Sequence, residues 1–454
     1  MRSPITWVPT SYFAMGLPFV VLNMVTVLMF KDLGVEKGLI AFWTSLILLP
    51  WTLKPLWSPF LEVFKTKKFF VVATQLITGV AFGLVVLSLT TAHFFTLAII
   101  FLAIIAVSGA THDIACDGVY MSELSPSDQA KYIGWQGAFY NIAKVFATGL
   151  LVYAAGVLIK RFTPEAATAA QQFLANRNAW MIVMGGMSVL MLLLGFYHIF
   201  MLPGRLSRPK GEGPVRTSGE VMHELWSTLR EFFTKKHIWY YIIFILLYRF
   251  GEGFVVKIVP LFLADSREVG GLGLDNESIG LYYGTFGACA FVIGSLLAGY
   301  YISHFGLKKT LFSLCCFFNI PFVVYALLAW FQPESGWWIA SGIVFEYFGY
   351  GFGFVGLTLF MMQQIAPGKH QMAHYAFASG IMNLGVMLPG IMSGWVSQWL
   401  GYSMFFVFVL FATIPAFIVT WFVPFRYDSK GNPIETEEAA LLGGPDGEDL
   451  PLEK

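Results

Sequence analysis

The stretch "GATHDIACDGVYMSEL", Gly109 to Leu124, closes a long apolar run and plants His112, Asp113 and Asp117 in it. A membrane-crossing helix ordinarily carries no such groups. The two aspartates are four residues apart, so a helix puts them on one face, where like charges repel unless something nearby offsets them. Composition decides the solvent. Of 454 residues, 57% are hydrophobic and only 12% charged, with 45 Phe and 14 Trp, whereas a soluble domain carries about 25% charge. The chain is an all-α integral membrane protein, and its intramembrane charges need a reason.

Apolar runs of about 20 residues, the length that crosses a bilayer, predict helices at 5–30, 38–61, 69–91, 94–121, 132–160, 179–202, 238–264, 278–303, 310–331, 337–363, 373–398 and 402–425. That makes twelve spans, expected as a bundle over 1–202 and a second over 238–426. Between them, 203–237 is the one long polar connection; it opens with "PGRLSRPKGEGP" and closes with "EVMHELWSTLREFFTKK", which reads as an amphipathic interfacial helix. The acidic end, 427–454, is expected to be mobile and cytosolic. No cleavable leader is expected, because "MRSPITW" runs straight into the first span without a small-residue cleavage site. Placing the termini and the even-to-odd connections on one side collects 18 Lys and Arg there against 6 on the other. The positive-inside rule then puts both termini in the cytoplasm.

Several function classes drop out. A net charge of +1 with scattered cations leaves no nucleic-acid footprint. Cys116, Cys289, Cys315 and Cys316 sit in apolar runs without metal spacing, so neither a metal nor any other cofactor is expected. An ATP-driven pump would need a phosphate-binding loop that is missing, and a membrane enzyme would show paired acids in its loops, which are short. A transporter or a membrane ligand sensor remains. The expected partners are a small-molecule substrate, protons and the lipid bilayer, with a single chain as the working unit.

The two halves echo each other. "SPFLEVFKTKK" after the second span answers "GYYISHFGLKK" after the eighth. "MSELSPSDQAKYIGWQGAFYN" after the fourth answers "MQQIAPGKHQMAHYAFASGIMN" after the tenth, aligning Met121 with Met362, Pro126 with Pro367 and, after one inserted residue, Asn141 with Asn383. Two six-helix repeats around a central loop resemble the plan of the major facilitator superfamily, which implies a substrate site between the halves near the midplane. The superfamily's loop signature is half kept: Glu62 stands near the acidic position of the first copy, and Ser303 replaces the acid in the second.

The membrane interior holds four acids, Asp113, Asp117, Glu252 and Glu346, and four bases, Lys54, Lys144, Arg249 and Lys257. Each alone would be costly to insert. Equal numbers suggest pairing across a cavity, and Arg249 and Glu252, three apart, can pair along one helix face. Such pairs either hold helices together or couple transport to protons, since a neighbouring cation tunes a carboxylate that substrate can then displace. His112 is either a proton shuttle beside Asp113 or a histidine bonded within the bundle.

Here the chain resembles a family. "LLPWTLKPLWSPFLE" (Leu48 to Glu62), "THDIACD" (Thr111 to Asp117), "LLYRFGEG" (Leu246 to Gly253) and "FEYFGYGFG" (Phe345 to Gly353) look like the charged motifs of the AmpG-type muropeptide permeases. "YFAMGLP" (Tyr12 to Pro18) and "HYAFAS" (His374 to Ser379) resemble that family's first and eleventh helices, so the likeness runs from about residue 5 to 400. It implies proton-driven import, across a bacterial inner membrane, of muropeptides containing N-acetylglucosamine and anhydro-N-acetylmuramic acid. It carries the charged positions onto Lys54, Asp113, Asp117, Arg249, Glu252 and Glu346. The chain departs at His112, where glutamine is usual, at Lys144, and in a longer connection from Lys160 to Arg177. The span-four stretch is also similar to that of the acetyl-CoA transporter of the endoplasmic reticulum, so such a permease, an importer of other disaccharides, and efflux are the alternatives.

A sugar needs aromatic faces and polar side chains. Helices that would border the cavity offer Tyr12, Asn23, Trp135, Gln136, Tyr140, Asn141, Tyr248, Tyr347 and Asn383 as substrate contacts. The alternative for each aromatic is lipid or core packing, and for the amides, bridges between helices. Four intramembrane bases suit an anionic ligand better than a neutral one.

Overall fold

The computed structural model describes residues 3–124, 126–205, 218–368 and 370–427, and the tail 428–454 lies outside the described residues. Every regular element among them is helical. Among the described residues, nine helices are long and apolar enough to cross a membrane. The last of these, Ala373–Trp421, is two spans: it turns at Gly401, whose φ of 69° and ψ of 163° leave helical space. Two further crossings are tandems of shorter helices, Lys37–Leu46 with Leu49–Phe64 and Ile238–Tyr248 with Phe250–Ala264. The twelve spans are thus Pro4–Asp32, 37–64, Lys67–Ser88, Phe94–Glu123, 126–162, Ala169–Met201, 238–264, 276–305, Leu307–Phe331, Gly336–Ile365, 371–400 and 402–421.

The largest difference from the expected boundaries is at the sixth span. It starts ten residues earlier than position 179, which shrinks the connection before it to 163–168. Thr168 and Gln171 form a capping box there, the Thr168 amide donating to Gln171 Oε1 at 2.9 Å and the Gln171 amide to Thr168 Oγ1 at 3.4 Å. That cap starts a helix in "AAQQFLANRNAW", whose polarity hides it from a hydropathy reading. Exposed tryptophans ring both ends of the spans: Trp330, Trp337, Trp338 and Trp399 at one, Trp226, Trp239 and Trp421 at the other. Such rings settle at membrane–water interfaces.

The linker helix, Ser218–Thr234, buries Phe232 against the eleventh span and leaves Met222 and Trp226 exposed. Lys235 behind it donates to the carbonyls of Ile365 at 2.7 Å and Pro367 at 2.6 Å, and burial pulls its ammonium down to about 8. Linker and second bundle are thereby tied at the terminus-bearing end.

The bundles meet along two seams where glycine lets backbones touch. In the second–eleventh seam, Gly380 faces the Thr52 carbonyl, Gly390 the Ser45 hydroxyl and Gly394 the Lys37 carbonyl. In the fifth–eighth seam, the π-helical turns Phe146–Leu151 and Gly280–Phe286 lie against each other, and Thr148 Oγ1 donates to the Gly284 carbonyl at 3.4 Å. Small residues replace the missing hydrophobic drive between helices in lipid. The glycines of the tenth span do something else: Gly351 rests on Phe291 of the eighth, and Gly349 and Gly353 rest on the ninth.

A Cβ on Gly284 would strike the Thr148 backbone. Gly284→Val should therefore cost about 1–3 kcal/mol by overpacking. A lowered melting temperature in detergent, absent in a Gly299→Val control whose Cβ position is open, checks this.

Candidate functional site

Helix irregularities place the charged groups. Pro18 interrupts the first span's hydrogen bonding and a π-helical turn follows at Val21–Val25. Such turns often mark functional positions. From the seventh span, Lys257, 1% exposed, reaches into this turn: its ammonium donates to Asn23 Oδ1 at 2.6 Å, the Asn23 carbonyl at 3.0 Å and the Thr44 carbonyl at 3.2 Å. All three oxygens belong to the first bundle and none is ionised. Lys257 is thus a cation of one bundle seated on neutral oxygens of the other, not a partner to a carboxylate.

The seventh span breaks at Arg249 (φ −105°, ψ 7°), so Glu252 falls in the first turn of a new helix, where the helix dipole favours an acid. Arg249 Nε and Nη2 donate to its two oxygens, both at 2.6 Å, and the guanidinium lies 5.2 Å from the Phe354 ring. This fork-to-fork pair is buried on both sides. On the tenth span Glu346 accepts from the Tyr325 hydroxyl at 2.8 Å and has no ion pair among the described residues. Lys144 of the fifth span lies 4.3 Å from the Phe291 ring centroid of the eighth. Lys144, Glu252, Glu346, Asn23 and the hydroxyl-bearing Tyr283 and Tyr350 line one cavity of about 90 Å³ between the bundles, with Tyr347. A drug-sized ligand takes roughly 300–1,000 Å³. In this conformation the cavity is narrower than that.

The other acids form a second cluster inside the first bundle. Asp113 accepts from Trp51 Nε1 at 2.9 Å and pairs with Lys54 at 3.6 Å, while its Oδ1 is buried without a donor among the described residues. Asp117 accepts from the Tyr12 hydroxyl at 2.8 Å and from Gln136 at 3.5 Å. His112 bonds elsewhere: its Nε2 lies 2.9 Å from the Gln75 amide, whose oxygen meets His198 at 2.8 Å, which reaches Thr10 at 2.9 Å. It is joined to a chain across the third and sixth spans, not to Asp113.

Of the expected substrate contacts, Asn23 and Tyr347 line the cavity. Tyr12 and Gln136 hold Asp117 instead. Tyr248 is misplaced by the sequence reading: it is fully buried and donates to the Gly353 carbonyl at 2.9 Å inside the second bundle. Asn141 donates to its own helix at Gly137, Tyr140 packs on Gly16, Trp135 is exposed and stacked on Phe139, and Asn383 is half-buried. Tyr283, Tyr325 and Tyr350 were not anticipated; Tyr350 sits one helical turn beyond Glu346, a spacing that could have flagged it.

A further set of polar contacts joins the bundles, gathered at the end bearing the first–second and seventh–eighth connections. Asp32, which also accepts from Trp180 of its own bundle at 2.9 Å, accepts from Asn276 of the other at 2.5 Å. Asp265, which also accepts from Tyr402 of its own bundle at 2.6 Å, meets Lys37 of the other at 2.8 Å, and Lys160 meets Asp275 and Glu277 across the bundles, both at 2.7 Å. Gln398 bonds Glu36 at the same end.

Two six-helix bundles around a charged cavity make a membrane transporter, not an enzyme. The chain belongs to the major facilitator superfamily, whose model, described as "Major Facilitator Superfamily", matches residues 10–367. It is similar to an "uncharacterized protein" of Haemophilus influenzae (strain ATCC 51907 / DSM 11121 / KW20 / Rd), 24% identical over 433 residues, 92% of this chain and 94% of that one. It is 23% identical to the anhydromuropeptide permease of Escherichia coli (strain K12) over 202 residues, 42% of this chain and 38% of the permease, so that match spans well under half of the named relative. Among solved structures, a D-xylose-proton symporter superposes with a TM-score of 0.68 at 14% identity, over 95% of this chain and 99% of that one. A bacterial homolog to the human lysosomal transporter Spinster, inward-facing and occupied, gives 0.67 at 14% identity, over 93% and 97%. These likenesses establish the fold.

Lys257 makes the most direct test of how the bundles are latched. A hydrogen bond to a charged group contributes about 1.5–3 kcal/mol, and every 1.4 kcal/mol is about tenfold. In Lys257→Met, hydrogen–deuterium exchange across Val21–Val25 should therefore quicken by about tenfold or more, while a peptide from the third span is unchanged.

Proposed function

We propose that the protein imports cell-wall-derived muropeptide, or a related N-acetylglucosamine-containing saccharide, across a bacterial inner membrane by proton-coupled alternating access. The observation that carries this reading is the buried acid–base set in and beside the cavity between the bundles. Charge in that place is expensive and is kept where ions or substrates pass. The motifs around Lys54, Asp113, Arg249 and Glu346, with the partial match to the Escherichia coli anhydromuropeptide permease, support the substrate class.

The cation distribution supports a reading with both termini in the cytoplasm. The contacts of Asp32, Asp265 and Lys160 then lie on the periplasmic side and close it, as a carrier facing inward requires. Substrate and proton enter when these contacts part, the bundles rock about the glycine seams, and both leave on the other side. Glu252 is held by both Arg249 bonds. The proton therefore falls to Asp113, whose second oxygen lacks a donor, or to Glu346, which has a tyrosine but no cation. A neutral disaccharide is the second reading, favoured because Lys54, Arg249 and Lys257 already have partners.

In proteoliposomes with an acid exterior, N-acetylglucosaminyl-1,6-anhydro-N-acetylmuramic acid should accumulate above its outside concentration, and a protonophore should abolish this. Glu346→Gln and Asp113→Asn are expected to divide the functions: at least one loses accumulation yet keeps substrate exchange at equal pH. Full accumulation by both variants contradicts proton coupling through these acids.

A further inference from the structure

The four intramembrane bases are not equivalent. Lys54 faces Asp113 at 3.6 Å, Arg249 holds Glu252 through two bonds, and Lys257 sits on three oxygens. Lys144 alone among them has no carboxylate within ion-pair distance and no hydrogen-bond acceptor among the described residues; its ammonium rests on the Phe291 face at 4.3 Å. A ring face attracts a desolvated cation but does not neutralise it. We propose that Lys144 anchors a single negative charge on the substrate, so that the transported saccharide is a monocarboxylate and travels with one proton. This rests on the transport reading above and names what the site selects.

Position supports the role. Lys144 comes from the first bundle, while the tyrosines and both glutamates that share the cavity come from the second. A ligand whose carboxylate meets Lys144 and whose sugar rings meet Tyr283, Tyr347 or Tyr350 bridges the bundles, which is the contact that closure must reward. One compact ammonium beside two carboxylates matches a monoanion; a phosphate dianion would bring more charge than it offsets.

Charge counting then gives the coupling. Arg249 and Glu252 cancel, so Lys144 and Glu346 set the net charge of the empty cavity, which is zero when both are ionised. The groups facing Glu346 are Tyr325 of the ninth span, Tyr283 of the eighth, Glu252 of the seventh, Tyr347 and Tyr350 of its own helix, and Lys144 across the cavity. A bound monoanion makes the total minus one, and a proton on Glu346 restores zero. Enclosing an uncompensated charge in a bilayer is costly. The empty cavity and the cavity with both anion and proton can close, and the cavity with only one of them resists closing. That asymmetry is symport, and the cargo it moves carries no net charge.

The test uses purified full-length protein and two matched probe pairs: N-acetylglucosaminyl-1,6-anhydro-N-acetylmuramic acid with its carboxamide, and a glucuronate-containing disaccharide with neutral N,N′-diacetylchitobiose. Wild type should bind the acid of at least one pair about tenfold more tightly than its neutral partner, a margin near that of one ion pair. K144Q should erase that preference and K144R should keep most of it, showing that charge and not folding was lost. Uptake of the preferred acid in proteoliposomes should follow an imposed pH gradient and ignore an imposed potassium diffusion potential. Preference confined to the glucuronate pair would sink the muropeptide reading and leave the role of Lys144 standing. No preference for the acid in either pair, or a preference that survives K144Q, overturns the anchor; uptake driven by the potential overturns the one-to-one coupling.

Discussion

Everything in this molecule follows from the bilayer's refusal to hold unbalanced charge. The Arg249–Glu252 fork answers it with two bonds of 2.6 Å at a helix break, and Lys257 answers it with three oxygens from the opposite bundle. The second answer has mechanical consequences. A lysine bonded to Asn23 and Thr44 holds the first, second and seventh spans together in this conformation. It must find water or another partner whenever the bundles part.

Irregular helix segments carry several of these partners. The π-helical turn after Pro18 carries Asn23, whose carbonyl and side chain both accept from Lys257. The break at Arg249 gives Glu252 a helix N-terminus, and the paired turns of the fifth and eighth spans bring Thr148 against Gly284. The same irregularities therefore provide the seats for charge and a close seam between the bundles. Their positions, one near the charged cavity from each of several spans, link local backbone geometry to the motion that transport needs.

Much of the architecture was legible in the sequence because the bilayer imposes a length on helices and forbids charge. Both rules act on composition alone, so the spans and the eight intramembrane ionisable residues stood out. The start of the sixth span did not, since its first turns are polar and are fixed by the cap of Thr168 with Gln171. Partnership was harder. Acid–base counting invites Lys257 to seek a carboxylate, and nothing in "EGFVVKIVP" says that a π-helical turn 234 positions away will supply neutral oxygens. Tyr248 and Tyr347 look alike as aromatic residues beside a charged motif, yet only Tyr347 lines the cavity. Each helical residue turns the face by about 100°, so the break at Arg249 moves Tyr248 away from the site. Asp32 and Asp265 read as ordinary connection residues, although they gather the contacts that close one end.

The central claim is that a proton crosses with the saccharide through the charged cavity. It is tested most directly by recording external pH, in a lightly buffered suspension of de-energised proteoliposomes, while N-acetylglucosaminyl-1,6-anhydro-N-acetylmuramic acid is added. The account predicts that the medium turns alkaline as the saccharide enters, at about one proton per molecule taken up for symport of a monoanion. Saccharide entry with no change in external pH would contradict it.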